Sequence, residues 1–323
     1  MTIILGIEST AHTFGVGIVR DYEILANERA AYTTKKGGIH PVDASNHHAE
    51  NAATILKQAL TKANMTMNDV DAIAFSQGPG LGPCLAIGAF TARYLAGTYN
   101  KPLNPVNHCI AHLEIGRGLS KTKDPVLLYA SGANTQIIAY QEGLYRVFGE
   151  TLDMGIGNMI DTFARDLGLG FPGGPAVQEL AKKGTILHPL PYVVKGMDTS
   201  FSGILTNLQR MKATPEDKCF TLQETTFAML VEASERALAH TDKNELVIGG
   251  GVGCNTRLQE MCKKMCESRG ATFHAPPREY LVDNAAMIAW QGLNQYRAGH
   301  TIKVSEAIIK PYERTDEVKV TWR

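Results

Sequence analysis

Two imidazoles four residues apart, in His108-Cys109-Ile110-Ala111-His112, carry the spacing in this chain best suited to metal chemistry. On a helix, positions i and i+4 share one face, so both rings can reach a single ion. Ten histidines in 323 residues also make an accidental pair of this kind a real alternative. Cys109 stands where an HExxH motif would carry its glutamate, so a zincin-type protease would lack the base beside its ligands. Further donors must come from other segments. The candidates are Asp283, at a helix start that favours a carboxylate anion, and Tyr129, at the end of an apolar strand.

Glycine-rich turns offer a second kind of chemistry. Glu8-Ser9-Thr10-Ala11-His12-Thr13 and Ser131-Gly132-Ala133-Asn134-Thr135 sit at the tips of two strand pairs, 3–19 and 126–140. Such tips present backbone N–H groups and hydroxyls that suit phosphate. The loops at 77–83 and 249–255 each join a buried strand to a helix and aim a helix N-terminus at their contents. The second has no lysine and is not a Walker A loop; a mononucleotide lying across it fits as well as a dinucleotide. Asp161 sits on a helix leading into the 168–175 loop, though an ordinary exposed carboxylate is the plainer reading. His47-His48, near a helix start, reads as solvated, and Lys35-Lys36-Gly37-Gly38 as a basic loop able to touch phosphate.

The elements that must position these residues alternate between strand and helix. Helical spacing of apolar residues runs over 44–63, 85–98, 158–167, 176–183, 203–211, 222–239, 256–268 and from 283 to 297. Buried strands fall at 70–76 and 245–248, and 101–105 reads as a connector. Pro125 breaks the chain and divides it into lobes 1–121 and 122–323, each opened by a hairpin. The expected class is α/β, with two similar lobes facing a cleft.

Hydrophobic residues make up 44% of the chain, enough for two cores. Lys+Arg and Asp+Glu number 32 each, so bulk charge gives no pull on nucleic acid; any such substrate needs a local patch or partner subunits. Six cysteines without a CxxC pair read as reduced thiols. No signal-peptide pattern or apolar run of about 18 residues occurs, which implies a soluble, cytoplasmic protein with no membrane association.

Six strings in register carry a resemblance: 6–13 (GIESTAHT), 37–41 (GGIHP), 77–81 (QGPGL), 108–112 (HCIAH), 131–135 (SGANT) and 283–287 (DNAAM). Over nearly its whole length the chain resembles the universal tRNA threonylcarbamoyladenosine-synthesis transferases. These are the bacterial TsaD proteins and the catalytic subunit of the archaeal and eukaryotic KEOPS complex, formerly named O-sialoglycoprotein endopeptidases. Tyr129 before the SGANT string, and HCIAH itself, favour the archaeal and eukaryotic branch. The resemblance implies a two-lobed actin-like, sugar-kinase, heat-shock ATPase (ASKHA) fold. It implies one iron or zinc ion on His108, His112, Tyr129 and Asp283. An adenine nucleotide would be held by Tyr129, Ala130, Ser131, Gly132, Ala133, Asp161, Gly174, Gln178 and Asn255. Gln178 stands where members often have glutamate, and Val42-Asp43 where Arg-Glu is expected.

The implied reaction moves the threonylcarbamoyl group of threonylcarbamoyl-AMP to the adenosine next to the anticodon in tRNAs reading ANN codons. Glu8 and His12 are the candidate bases. Implied partners are tRNA, a small kinase/ATPase subunit, a dimerising subunit, a tRNA-binding subunit and a separate threonylcarbamoyl-AMP synthase. An ATPase or small-molecule kinase of the same superfamily would share the hairpins and loops without needing the histidines. A metalloprotease is the third class.

Overall fold

The computed structural model describes residues 1–34 and 38–323, so the expectation for Lys35, Lys36 and Gly37 lies outside the described residues. Strand β1 (Ile3–Glu8) and strand β2 (Thr13–Arg20) are buried along almost their whole length. That explains why they read as continuous apolar runs instead of alternating ones. They pair antiparallel, and β3 (Glu23–Ala31) continues the meander on β2. Helix α1 (Pro41–Ala63) follows. Strand β4 (Ala72–Gly78) then pairs parallel with β1, helix α2 (Gly82–Tyr99) crosses back, and β5 (Leu103–Asn107) pairs parallel with β4. Helix α3 (His108–Ser120) starts directly from β5.

The second half repeats this plan. Strands β6 (Val126–Ala130), β7 (Thr135–Gln141) and β8 (Leu144–Glu150) form another antiparallel meander. Helices α4 (Ile156–Asp166) and α5 (Gly174–Ala181) follow, then the two-residue strands β9 (Val194–Lys195) and β10 (Asp198–Thr199). Helix α6 (Ser202–Arg210) and the long α7 (Pro215–Thr241) lead to β11 (Glu245–Gly249), parallel to β6. Helix α8 (Thr256–Ser268) returns the chain to β12 (Thr272–His274), parallel to β11. One sheet runs β3-β2-β1-β4-β5 and the other β8-β7-β6-β11-β12, the same order and sense.

After the short α9 (Arg278–Leu281), helix α10 (Ala285–Arg297) crosses back to the first sheet. Its Ala286, Ile288 and Leu293 join Ile4, Ala74 and Ile115 in one core. The remaining residues form a strap. Ile302 bridges Leu103, the Lys310 N–H donates to the Gln77 carbonyl (2.8 Å), and the Val320 N–H donates to the Gly143 carbonyl (3.0 Å).

Several boundaries differ from the sequence expectation. Helix α7 begins seven residues before the expected 222, because Thr214 caps it by accepting from the Asp217 N–H and Pro215 occupies the first turn. The connector at 101–105 is largely strand β5. Strands β3 and β8 escape pattern reading because both are half-exposed and mix charged with apolar residues.

Candidate metal and nucleotide site

Helix α3 is capped by Asn107, whose side chain accepts from the Cys109 and Ile110 N–H groups. The cap starts the helix at His108 and puts both histidines, one turn apart, on the side facing Asp283. Their rings lie edge to face at 4.8 Å. Asp283 arrives from the segment just ahead of Asn284, the residue capping α10. Its Oδ1 lies 3.4 Å from His108 Nε2 and 3.5 Å from His112 Nε2. One donor atom from each of the three side chains falls within 4.8 Å of the others.

What stands behind each ring differs. His108 Nδ1 is 3.0 Å from Glu8 Oε2, and Glu8 is fully buried at the end of β1. The other carboxylate oxygen of Glu8 accepts from the Thr10 N–H (2.7 Å) and hydroxyl (2.5 Å). Burial works against a charge on His108, but Glu8 and Asp283 outweigh it and hold the imidazole well above its usual range. Burial dominates at His112 and pushes it down; neither of its nitrogens makes a hydrogen bond among the described residues. Burial also opposes the charge on Asp283, yet the two imidazoles keep it well below the ordinary carboxylate range. The phenol of Tyr129, its ring 5.2 Å from that of His112, is pushed well up by burial, with Cys109 and Asp283 adding to the effect.

Two imidazoles and a carboxylate, with buried nitrogens lacking partners, suit a transition-metal ion better than they suit one another. The donor set therefore fits a transition-metal ion, and the Tyr129 ring packs beside it.

A cavity of about 1480 Å³ opens beside this cluster. That exceeds the usual few hundred to 1,000 Å³ of small-molecule pockets, leaving room for a nucleotide and a second group. His108, Tyr129 and Asp283 line its inner end, and Ser131, Gly132 and Ala133 its wall. The 131–134 tip is tied to α4, whose Gly157 and Asn158 N–H groups donate to the Ser131 (3.0 Å) and Gly132 (2.9 Å) carbonyls. Asp161, Gly174, Gln178 and Asn255 also line the cavity. Asp161 is half-buried and accepts from the Gly173 N–H (2.7 Å); burial raises its carboxyl and this contact offsets part of the rise. Gln178 Nε2 donates to Thr256 Oγ1 (3.3 Å). Asn255 has a local job, because its Oδ1 accepts from the Arg257 and Leu258 N–H groups and caps α8.

Of the two candidate bases, His12 faces the cavity, with Nδ1 3.7 Å from Asp283 Oδ2, whereas Glu8 lies behind His108 and does not line the space. Ala130 and His112 are likewise behind the wall. His48 departs from its solvated reading, being fully buried against Phe14 with ring centroids 5.7 Å apart. Sequence reasoning missed Thr10 as a partner of Glu8, and missed the strap residues 311–315 that line the mouth. A two-residue offset from Glu8 was the one available signal for Thr10; the strap carries none.

Among the described residues no helix is long and apolar enough to cross a membrane. Two solved structures share the fold at low identity: HypF from Thermococcus kodakarensis, and the (R)-2-hydroxyglutaryl-CoA dehydratase component A from Acidaminococcus fermentans. HypF has a TM-score of 0.65 at 12% identity, over 92% of this chain and 48% of that one. The dehydratase component has a TM-score of 0.56 at 16% identity, over 90% and 97%. The fold is the two-lobed actin-like, sugar-kinase, heat-shock ATPase type. The tRNA N6-adenosine threonylcarbamoyltransferase of Thermococcus kodakarensis is 56% identical over 324 residues, 99% of each chain. A probable bifunctional tRNA threonylcarbamoyladenosine biosynthesis protein of Methanosarcina mazei is 53% identical over 99% of this chain and 60% of its own length. The family model for TsaD, tRNA N6-adenosine threonylcarbamoyltransferase, matches residues 23–290. With the His108–His112–Asp283 cluster at the end of a nucleotide-sized cavity, and relatives of this identity along its whole length, the chain belongs to the tRNA N6-adenosine threonylcarbamoyltransferase family.

Proposed function

We propose that His108, His112, Asp283 and Tyr129 hold one iron or zinc ion, and that threonylcarbamoyl-adenylate lies along the cavity with its acyl end toward them. The observation that carries this is the convergence of three donor atoms from α3 and the segment just ahead of α10, with His108 and Asp283 lining the cavity and His112 directly behind them. A bound ion would supply Lewis acidity and orientation for the acyl group, and its charge would offset the burial that keeps the Tyr129 phenol protonated.

The chain's own residues do the rest. Glu8 takes the Nδ1 side of His108 and so leaves Nε2 as the donor facing Asp283. Backbone N–H groups of the 131–134 turn bind the adenylate, while Asp161 and Gln178 face its sugar and Gly174 gives it room. Ala130 and Asn255 act on the nucleotide through the backbone they hold. The adenosine N6 forms the new bond to the carbamoyl carbon, the bond from that carbon to the phosphate oxygen breaks, and AMP leaves. His12, the candidate base that reaches the cavity, takes the proton lost from N6.

The lobes 1–121 and 122–323 close on this site, with α10 tying the second back to the first. The chain works in the cytoplasm with a small kinase/ATPase subunit, a dimerising subunit and a tRNA-binding subunit, on adenylate supplied by a separate synthase. Balanced charge, 32 residues of each sign, supports the need for partners in holding tRNA. The test is to purify His108→Ala and His112→Ala anaerobically and measure bound metal and transfer of labelled threonylcarbamoyl to tRNA. Both should fall together, with adenine-nucleotide affinity kept. Full transfer by the metal-free double variant would overturn the assignment.

A further inference from the structure

The strap carries a side chain that the reaction so far leaves idle. Tyr312 stands at the mouth of the cavity and is 93% exposed, the most exposed aromatic ring of the described residues. Its backbone is not loose. Pro311 accepts from the Gly80 N–H (3.1 Å), and Glu313 accepts from Asn107 Nδ2 (3.1 Å) and Lys310 Nζ (2.9 Å). Thr315 is buried. The neighbouring cations are also engaged, Lys310 by Glu313, and Arg314 by Asp316 and Glu150. A fixed backbone thus holds out a large ring that the described residues leave almost wholly uncovered. Covering such a ring costs little further order, because only its own two torsions remain to be fixed.

The family reaction requires an adenosine of an RNA loop to bring N6 to a carbon inside the cavity. A stacked base cannot reach, so the adenosine must leave its neighbours. The base beside it is then left at the mouth with one face bare. We propose that Tyr312 stacks on that neighbouring base, as an RNA-positioning residue that stabilises the opened loop. Stacking of this kind tolerates any base, since every base has a π-face.

Two measurements on the full chain test this. In the assembly that turns over, with saturating threonylcarbamoyl-adenylate, Tyr312→Ala should raise the KM for tRNA by ~5–150-fold, the range of base–aromatic stacking. Adenine-nucleotide affinity and bound metal should not change, and Tyr312→Phe should behave as wild type. Separately, an anticodon stem-loop with 2-aminopurine beside the target adenosine should be quenched on binding wild type or Tyr312→Phe, and not on binding Tyr312→Ala. Unchanged KM and unchanged quenching in the alanine variant would overturn the proposal. So would a raised KM with quenching intact, which would assign Tyr312 to a protein partner instead. A chain that binds the stem-loop but transfers nothing would count against the metal and nucleotide assignments, and the fluorescence would still judge Tyr312.

Discussion

The tips of the β1–β2 and β6–β7 hairpins occupy matching places in two sheets of identical strand order, yet their surroundings differ. In the first, Ser9 and Thr10 are buried, and the preceding Glu8 carboxylate is taken up by Thr10 and His108. In the second, Gly132 and Ala133 are exposed to the cavity, and the turn is closed by its own Ser131–Asn134 contact (2.9 Å). The β1–β2 tip turns Ser9 and Thr10 inward behind α3 and Ala11 and His12 farther out toward the cavity; the β6–β7 tip exposes its backbone there. The two sheets share one frame, and the frame alone does not say which tip serves the proposed metal and which the proposed nucleotide. The two ends differ in one side chain: a buried carboxylate, Glu8, ends β1, and the methyl of Ala130 ends β6.

The contrast extends to acid. His48 lies behind the first tip, buried, with Nε2 lacking a hydrogen-bond partner; burial and then the neighbouring His47 push it down from 6.5 to about 4. Above about pH 7 it is neutral folded or unfolded, and its contribution to stability is complete. Between 6.5 and 4 the unfolded chain binds the proton and the folded chain does not, so stability falls across that window. At about 1.36 kcal/mol per pH unit the loss reaches about 3 kcal/mol. His48→Leu should flatten the pH dependence of urea midpoints between 6.5 and 4. An unchanged slope would mean that the acid sensitivity lies elsewhere.

Glu8→Gln probes the bracing itself. The amide keeps the shape but not the charge that holds the Nδ1 proton, and losing such a partner typically costs 10–100-fold in metal affinity. Chelator competition should show that loss with nucleotide affinity untouched. Equal loss of both would erase the division between the tips.

The division was only partly legible in the sequence. The hairpins, the glycine loops and the pair His108/His112 were readable because turn chemistry and helical spacing are local. The contact of Glu8 with His108 was not, because nothing local shows that a carboxylate at a turn will meet a histidine 100 residues away. Nor was the burial of His48, since nothing local shows that Phe14 will cover it. The return of α10 to the first sheet and the strap across the mouth are long-range packing events that no periodicity announces.

A matched pair of glycine changes sharpens the comparison further. A Cβ on Gly80 would stand 2.5 Å from the Thr10 carbonyl oxygen, and one on Gly155 would stand 2.3 Å from the Gly132 carbonyl oxygen. In each case backbone must move, at about 1–3 kcal/mol. Gly80→Ala should lower metal affinity about tenfold and spare nucleotide binding, and Gly155→Ala should do the reverse. Calorimetric titration of both ligands into both variants reads the cross; matching losses would mean that the tips move as one.

The smallest effect concerns Asn255, whose capping of α8 and proposed place at the nucleotide make different demands. As the cap of α8 it satisfies the Arg257 and Leu258 N–H groups, while its Nδ2 donates to Gln223 Oε1 (2.9 Å). With the oxygen taken twice and one of the two amide hydrogens on Gln223, a single N–H is left for a nucleotide, and the main contribution should be to hold the loop backbone. Asn255→Ala should then cost about 1 kcal/mol of stability, the usual value of a lost cap. Asn255→Asp and Asn255→Ser keep the capping oxygen and should restore most of that stability. If nucleotide affinity follows the cap across the three variants, the loop backbone is what binds. If it falls equally in all three while stability recovers in two, the amide itself touches the nucleotide, and this second-lobe loop resembles the first tip in spending a side chain on its ligand.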